Sequence, residues 1–402
     1  MPATLSAYND ALKRIYTSDR LEEQLYNGTP FLDKIERTTR FKVGEVARTP
    51  LHVSRNGGYT VLPSTGGNLN TAGNQGISKA EWNYTNHHQQ VALQGSVIDG
   101  TEGDALSVAN ALDTEISGAL TDLRRQLTRQ LFGNGDSFIA QCKASSSNAV
   151  DLNTTSGGNA IKRGWIFVGQ QVDVGTTSSP ATIVNGGTVT AVDESNVAFT
   201  VDTGNITTEG TTHYVSNKGS RSGSTSYEMN GLRNIVSTSA VLGSLDPATQ
   251  PVWSAASVDT TSQALSLSLI LQQQQSVRQK AGDDPDFVLT GLKQQRKFYE
   301  LLQSQVRYQS DAQINAGADD VAKWHGLSIE AHADCPDEDL YVGKMKNLFI
   351  VATEKPYWQN KLTGGEILSW VQGTDSYGAK LTYRIQLATN RRNAFARLGG
   401  LS

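Results

Sequence analysis

The chain has 402 residues, 35 Lys and Arg against 39 Asp and Glu, and 18% charged residues, giving a formal net charge of −4. Near-neutrality excludes a protein whose main task is gripping nucleic acid with a basic face. It does not exclude a container, whose wall must not hold phosphate so tightly that packing and release stall.

Such a length predicts two to three domains and a core that needs no disulfide or metal to stand. Cys142 and Cys335 are too few and too far apart for a disulfide framework or a C-x-x-C pair, so both are read as reduced thiols. Met1–Leu5 shows no basic stretch followed by an apolar run, and nowhere do 18 apolar residues run together, so neither a signal peptide nor a membrane span is expected. Four Asn-x-Thr tripeptides, at Asn27, Asn83, Asn153 and Asn205, then read as chance matches to the glycosylation pattern.

Residues 5–26 carry Leu12, Ile15, Tyr16, Leu21 and Leu25, a short helix stopped by Asn27-Gly28 with Pro30 beyond. Phe31, Leu32 and Ile35 form an apolar anchor. From Phe41 to about Leu93 two strand-like runs flank Arg55-Asn56-Gly57-Gly58, Pro63-Ser64-Thr65-Gly66-Gly67 and a Gly/Asn-rich stretch to Gly76. That pattern is an extended hairpin. Its tip is too long and too polar to fold on its own core, and makes better sense packed on a neighbouring subunit.

Ala109, Leu112, Ile116, Leu120, Leu123, Leu127 and Leu131 recur every three or four residues, predicting an amphipathic helix from about Asp104 to Phe132, ended by Gly133. Residues 142–226 are rich in Ser, Thr, Gly and Asn. They carry short strands at Trp165–Val168, Gln171–Val174, Thr188–Val192 and Val197–Val201, the signature of a small all-β module inserted in a host domain. Beyond Tyr227 a helix over Thr261–Ala281, a buried strand at Phe287–Leu289 and a helix over Lys293–Val306 come in turn. Strands at Leu327–Ala331, Leu348–Ala352, Glu366–Val371, Ala379–Asn390 and Ala394–Leu398 then predict an α/β sandwich.

Chemistry is sparse. No phosphate-binding Gly-rich loop, His-Glu-x-x-His pair or nucleophile elbow occurs. Adjacent His87 and His88 point to opposite faces of a strand and cannot share a metal. His332-Ala333-Asp334-Cys335-Pro336-Asp337-Glu338-Asp339 is the densest cluster of possible ligands, but it lacks a recognisable spacing and reads as an acidic, solvated loop. Asp283-Asp284-Pro285-Asp286 is a turn and not a convergent acid pair. Arg391, Arg392, Arg384 and Arg397 read as subunit-contact arginines ahead of a nucleic-acid platform, since no aromatic residues interleave them. No catalytic residue, cofactor or metal is expected.

The succession of these features resembles the major capsid proteins of tailed phages, whose Hong Kong-phage capsid fold is shared with encapsulin shells. The similar stretches are LYNGTPFLDKI near Tyr26–Phe31, WHGLSIEAHADCP at Trp324–Pro336, NLFIVATEKPYW at Asn347–Trp358 and YGAKLTYRIQLATNRRNAFARLGGL at Tyr377–Leu401. The resemblance implies an α+β fold laid out as follows: N-terminal arm 1–40, extended loop 41–95, peripheral domain with a spine helix 96–141, inserted β domain 142–226, peripheral return 227–260, axial domain 261–372 and closing strands 373–402.

It further implies an icosahedral shell of pentamers and hexamers of this chain, assembled in the host cytoplasm around double-stranded DNA held without sequence preference. Expected partners are a separate scaffolding protein, a portal protein and cement or decoration proteins, with no membrane. The separate scaffold is expected because the arm-like sequence starts almost at Met1, and non-covalent contacts because the tip Arg55–Gly76 has no Lys. Phe31, Leu32, Arg55, Val61, Leu62, Arg384, Arg391 and Arg392 are the candidate assembly contacts. Two alternatives stay open: an encapsulin-like compartment, and a carbohydrate-binding β-rich surface protein suggested by the Gly/Thr/Ser-rich block.

Overall fold

Alternation and periodicity in the sequence become strands and helices in a computed structural model. It describes residues 30–39, 42–43, 46–96, 111–143, 148–153, 160–181, 183–202, 212–303, 322–324, 327–352, 356–359, 368–371 and 373–402. The expected helix over 5–26 lies outside these residues. The chain divides into two units, one of residues 1–34, 84–129 and 352–385, the other of residues 35–83, 130–351 and 386–402.

In the first unit, residues 376–385 of the strand Ser376–Thr389 form the centre of an antiparallel sheet. Thr85–Gln94 pairs with it over ten positions, from Ser376 opposite Gln94 to Ile385 opposite Thr85. Tyr357–Trp358 and Ser369–Trp370 pair with it as well. One face of Thr85–Gln94 is exposed through Asn86, His88 and Gln90, and the other descends to buried Val91 and Leu93. Such an alternation marks a sheet wet on one side. The second apolar run of the expected hairpin is therefore two strands, because Thr85–Gln94 leaves the hairpin for this sheet.

The long helix runs Ala111–Phe132, its expected start at Asp104 lying outside the described residues. Ala119, Leu123, Leu127 and Leu131, four residues apart, are its buried stripe. Gly133 donates its N–H to the Gln130 carbonyl at 3.0 Å and ends it.

Within the second unit, Val46–Ser54 and Gly76–Asn83 are the arms of the extended hairpin, in register from Val46 opposite Asn83 to Ser54 opposite Gly76. A parallel pair joins Glu36–Thr38 to Leu348–Ala352. The α/β part is a six-stranded mixed sheet in the order 257–259, 395–398, 340–343, 287–290, 327–331, 322–324. Ile270 and Phe298, from its two helices, join Val288, Ile329, Leu340, Val342 and Leu398 in one apolar cluster.

The first of those helices is Leu267–Ala281 and not Thr261–Ala281. Ser266 Oγ accepts from Leu269 N–H, and Gly282, at φ +69°, closes the far end. Upstream, the Asp259 carboxylate accepts from Thr261 N–H at 2.9 Å and Gln263 Nε2 at 3.0 Å, holding that segment extended.

Six strands between residues 138 and 217 form a β barrel. Its six strands follow the order 138–141, 213–217, 171–176, 184–193, 198–201, 149–151. The two ends of that order meet through a Cys142–Leu152 bridge, Lys143 N–H donating to Asp151 O at 2.8 Å and Asn153 N–H to Gln141 O at 2.9 Å. Closure removes the free sheet edges. Val150, Val172, Val174, Val189, Phe199 and Val215 fill the interior. Trp165–Val168 is not a strand: Gly164 and Gly169 both hold positive φ, and the four residues between them form a turn. It buries Ile166 in the barrel core and leaves Phe167 and Val168 outside.

Entry to and exit from the barrel are adjacent. A Cβ on Gly231 would lie 2.1 Å from the Gly133 carbonyl oxygen, so only glycine lets the two chain segments approach. No helix among the described residues is long and apolar enough to cross a membrane.

Candidate assembly surfaces

Between Ser54 and Gly76 the hairpin arms lead into a tip with no regular strand and no buried side chain. The polar side chains that give it low hydropathy also give it order. Asn56 Oδ1 accepts from the N–H groups of Gly58 at 2.8 Å and Gly73 at 3.1 Å, tying the two sides together. Asn70 N–H donates to Thr60 Oγ1, its Nδ2 donates to Tyr59 O, both at 2.9 Å, and a turn joins Gly66 N–H to Pro63 O. Tyr59, Val61 and Leu69 remain 82%, 76% and 78% exposed, and Leu62 38%. Burying an apolar side chain of this size is worth about 1.5–3 kcal/mol. The tip thus offers a cluster of apolar groups held at the end of an arm that has no core beneath it.

The base of the arm is rigid. Trp82 is 1% exposed, donates Nε1–H to Thr49 Oγ1 at 3.1 Å, and lies 6.3 Å from the Trp253 ring. Trp253 in turn donates to the Leu242 carbonyl at 2.9 Å. Glu81 N–H donates to Gly243 O, where φ is +62° and a Cβ would sit 3.0 Å from Ala80 Cβ. On the outer side the Glu81 carboxylate lies 3.0 Å from both Arg48 and Lys79, and the Lys79 hydrogen bond is the main reason its pKa is lowered.

Arg55, Val61 and Leu62 occupy the exposed tip, and Arg384 is exposed on the sheet of the first unit. The four other candidates are engaged within the chain. Phe31 and Leu32 are 1% and 2% exposed, so the expectation that they bury themselves on adjacent copies is corrected: a single subunit already covers them. Arg392 is corrected too. Fully buried, it donates to the carbonyls of Ile235, Ala240 and Asn234 at 2.8, 2.6 and 3.0 Å, and burial without a carboxylate lowers its pKa to about 10. Arg391 pairs with Asp283 and donates to the Ala281 carbonyl. The sequence shows four neighbouring arginines as equals, and only the packing separates internal braces from surface charges.

The 332–339 segment is only partly solvated, with Glu338 exposed and Ala333, Pro336 and Asp337 half-buried. His332, Asp334, Cys335 and Asp339 are all buried. Trp165 donates Nε1–H to Asp334 Oδ1 at 3.0 Å, Arg163 donates to the Cys335 carbonyl at 2.9 Å, and the Tyr341 hydroxyl donates to Asp339 at 3.0 Å. This loop therefore fastens the barrel's 163–165 turn to the α/β part. Among the described residues no three His, Cys, Asp or Glu side chains are grouped to hold a metal. Both cysteines are free and buried, with their thiol pKa values raised by desolvation, that of Cys142 to about 12. A thiol held protonated is a poor nucleophile.

Comparison with known proteins bears on the same architecture. The family model described as SU10 major capsid protein matches residues 206–362. The capsid of cyanophage A-1(L) superposes with a TM-score of 0.57 at 11% identity, covering 96% of each chain. The capsid of an empty GTA particle gives 0.52 at 6% identity, covering 96% of this chain and 95% of the other; that of a native GTA particle gives 0.50 at 7%, covering 99% and 100%. No curated protein sequence matches the chain. Its fold is the phage capsid fold, and its residues 206–362 carry the sequence pattern of the SU10 major capsid protein family.

Proposed function

We propose that this chain is the major capsid protein of a tailed phage, a non-enzymatic subunit that assembles with its own copies into pentamers and hexamers of an icosahedral shell around double-stranded DNA. One observation carries the reading: the match to a major capsid protein family over residues 206–362 lies inside a capsid fold that extends over 96% of the chain. The physical means is repetition. Each extended loop carries apolar groups on a rigid base, and each can bury them on an adjacent copy without covalent linkage. Around closed symmetric rings, modest contacts of this kind sum to a stable shell.

Arm 1–40, peripheral parts and axial domain 261–372 then have the roles that the capsid fold assigns them, and the barrel is an inserted domain. The adjacency of Gly133 and Gly231 supports that last point, since a module added at one spot disturbs its host least. Scaffolding, portal and cement proteins are the proposed partners, with assembly in the host cytoplasm.

Electron microscopy of the expressed chain, with and without a candidate scaffold, tests the proposal. Closed particles are expected. Soluble monomers under every condition would sink it, and ladders in denaturing gels of mature particles would overturn the non-covalent linkage.

A further inference from the structure

The sheet of the first unit has two unlike faces. One carries buried Val91, Leu93, Ala379 and Leu381, with Tyr377 and Trp370 exposed at its end. The opposite face is formed by residues that lie across from one another in the ladder: Lys380 with Gln90, Thr382 with His88 on one side and half-buried Tyr357 on the other, Arg384 with Asn86, and Gly378 with Ala92 and Ser369. Asn86, His88, Gln90, Ser369, Lys380 and Arg384 are exposed there. No carboxylate occupies these ladder positions, and neither Lys380 nor Arg384 makes an ion pair among the described residues. His88 is held by Thr382 Oγ1 at 3.1 Å, and its pKa is lowered by partial burial, then by Lys380 and Arg384, so both cations act on one spot.

We infer that this face, through Lys380 and Arg384 with His88, Asn86 and Gln90 between them, is a contact surface for the phosphate backbone of duplex nucleic acid. The inference rests on the shell reading for its biological setting, but not for its physical argument. A subunit interface would put apolar side chains at the centre of the patch. This face has amides, hydroxyls and two cations that make no ion pair among the described residues, the groups that contact phosphate and sugar. Spacing agrees. A strand rises about 3.4 Å per residue, so Lys380 and Arg384 stand roughly 14 Å apart along it, far enough to reach separate phosphates of one backbone. Two cations per subunit hold DNA weakly, as a wall that must later release it requires, and the number of copies supplies the sum.

The test measures binding of the full-length chain to a fluorescently labelled 24-base-pair duplex as potassium chloride is raised. Lys380→Gln/Arg384→Gln should make the slope of log K against log salt less negative by ~2, since each lost phosphate contact removes ~0.9. A charge-matched Lys293→Gln/Lys346→Gln control should leave the slope unchanged, and Lys380→Arg/Arg384→Lys should retain it, with matching thermal unfolding showing that all variants fold.

Equal slopes in the wild type and the Lys380→Gln/Arg384→Gln variant, an equal shift in the Lys293→Gln/Lys346→Gln control, or no binding by the wild type at the lowest salt would overturn the inference. So would lost particle formation with an unaltered DNA slope, which would assign the face to a neighbour's carboxylates. Microscopy of the same preparations without DNA reads the shell proposal separately: absent particles alongside the expected slope change would refute the shell and keep the surface.

Discussion

The barrel and the tip of the extended loop are made from the same residue types and reach opposite ends. Both are rich in Gly, Ser, Thr and Asn. In the barrel, apolar residues at alternate positions such as Val172 and Val174 fall on one face of strands that curl until first and last meet, and the interior fills. In the tip, Tyr59, Val61, Leu62 and Leu69 have no strand partner, and asparagine hydrogen bonds fix a shape that leaves them outside. Composition does not separate the two regions. What separates them is whether the apolar positions lie on paired strands, because only pairing lets the backbone be buried along with the side chains. One region is complete within the chain, and the other leaves its apolar groups uncovered, as the proposed packing on a neighbour requires.

This contrast can be broken most directly at the barrel. Phe199→Ala should lower the unfolding free energy by about 3–5 kcal/mol, read by denaturant titration of the unassembled chain, through lost burial and the cavity left behind. A loss below about 1 kcal/mol would mean that the barrel does not depend on its own core. Arg392→Met comes next, at about 2–4 kcal/mol, because it leaves several buried carbonyls without a donor. Gly243→Ala should cost about 1–2 kcal/mol, forcing a side chain onto a left-handed backbone at the loop's base.

Acid sharpens the comparison in the first unit. Burial, then Arg129, then His88 lower the pKa of His87 to about 4. The unfolded chain therefore binds the extra proton first: stability is complete above pH ~6.5 and is lost as pH falls towards about 4. His87→Gln should flatten this part of a stability–pH profile, and an unchanged slope would reject the assignment. Smallest of all for the single chain is Val61→Ser/Leu69→Ser, expected within about 0.5 kcal/mol of wild type because neither side chain is covered. The same variant should strongly reduce particle yield. A destabilised monomer with normal particles would reverse the roles given to the two regions.

Much of the fold was legible because local periodicity and local burial coincide. The Leu123–Leu131 stripe, the Phe287–Leu289 strand and the glycine stop at Gly133 came out as read. Trp165–Val168 did not: aromatic and β-branched residues suggest a strand, but two glycines at positive φ make a turn that the barrel core then fills. Nor did Thr261–Ser266, where the Asp259 side chain competes with helix formation. Among the candidate residues, Arg55, Val61 and Leu62 lie on the exposed tip that the turn-rich pattern around them marks. Phe31, Leu32 and Arg392 were misread, since an apolar residue or an arginine looks the same in sequence whether its partner lies in its own chain or another. Lys380 and Arg384 had a faint signal, two cations four residues apart on one strand face, but which residues lie opposite them depends on a strand nearly three hundred residues away.

By itself the sequence determined the order of the parts: an apolar anchor, a long polar hairpin, an amphipathic helix, a Thr- and Gly-rich block and an α/β segment. Periodicity, turn residues and caps act over a few residues, so a linear string contains them. Only the tertiary structure decided that the block closes into a barrel, that Asp334 and Cys335 are buried beside Trp165 and Arg163, and that Arg392 braces carbonyls. Those outcomes depend on which distant groups exclude water from one another, and that is a property of the packed chain.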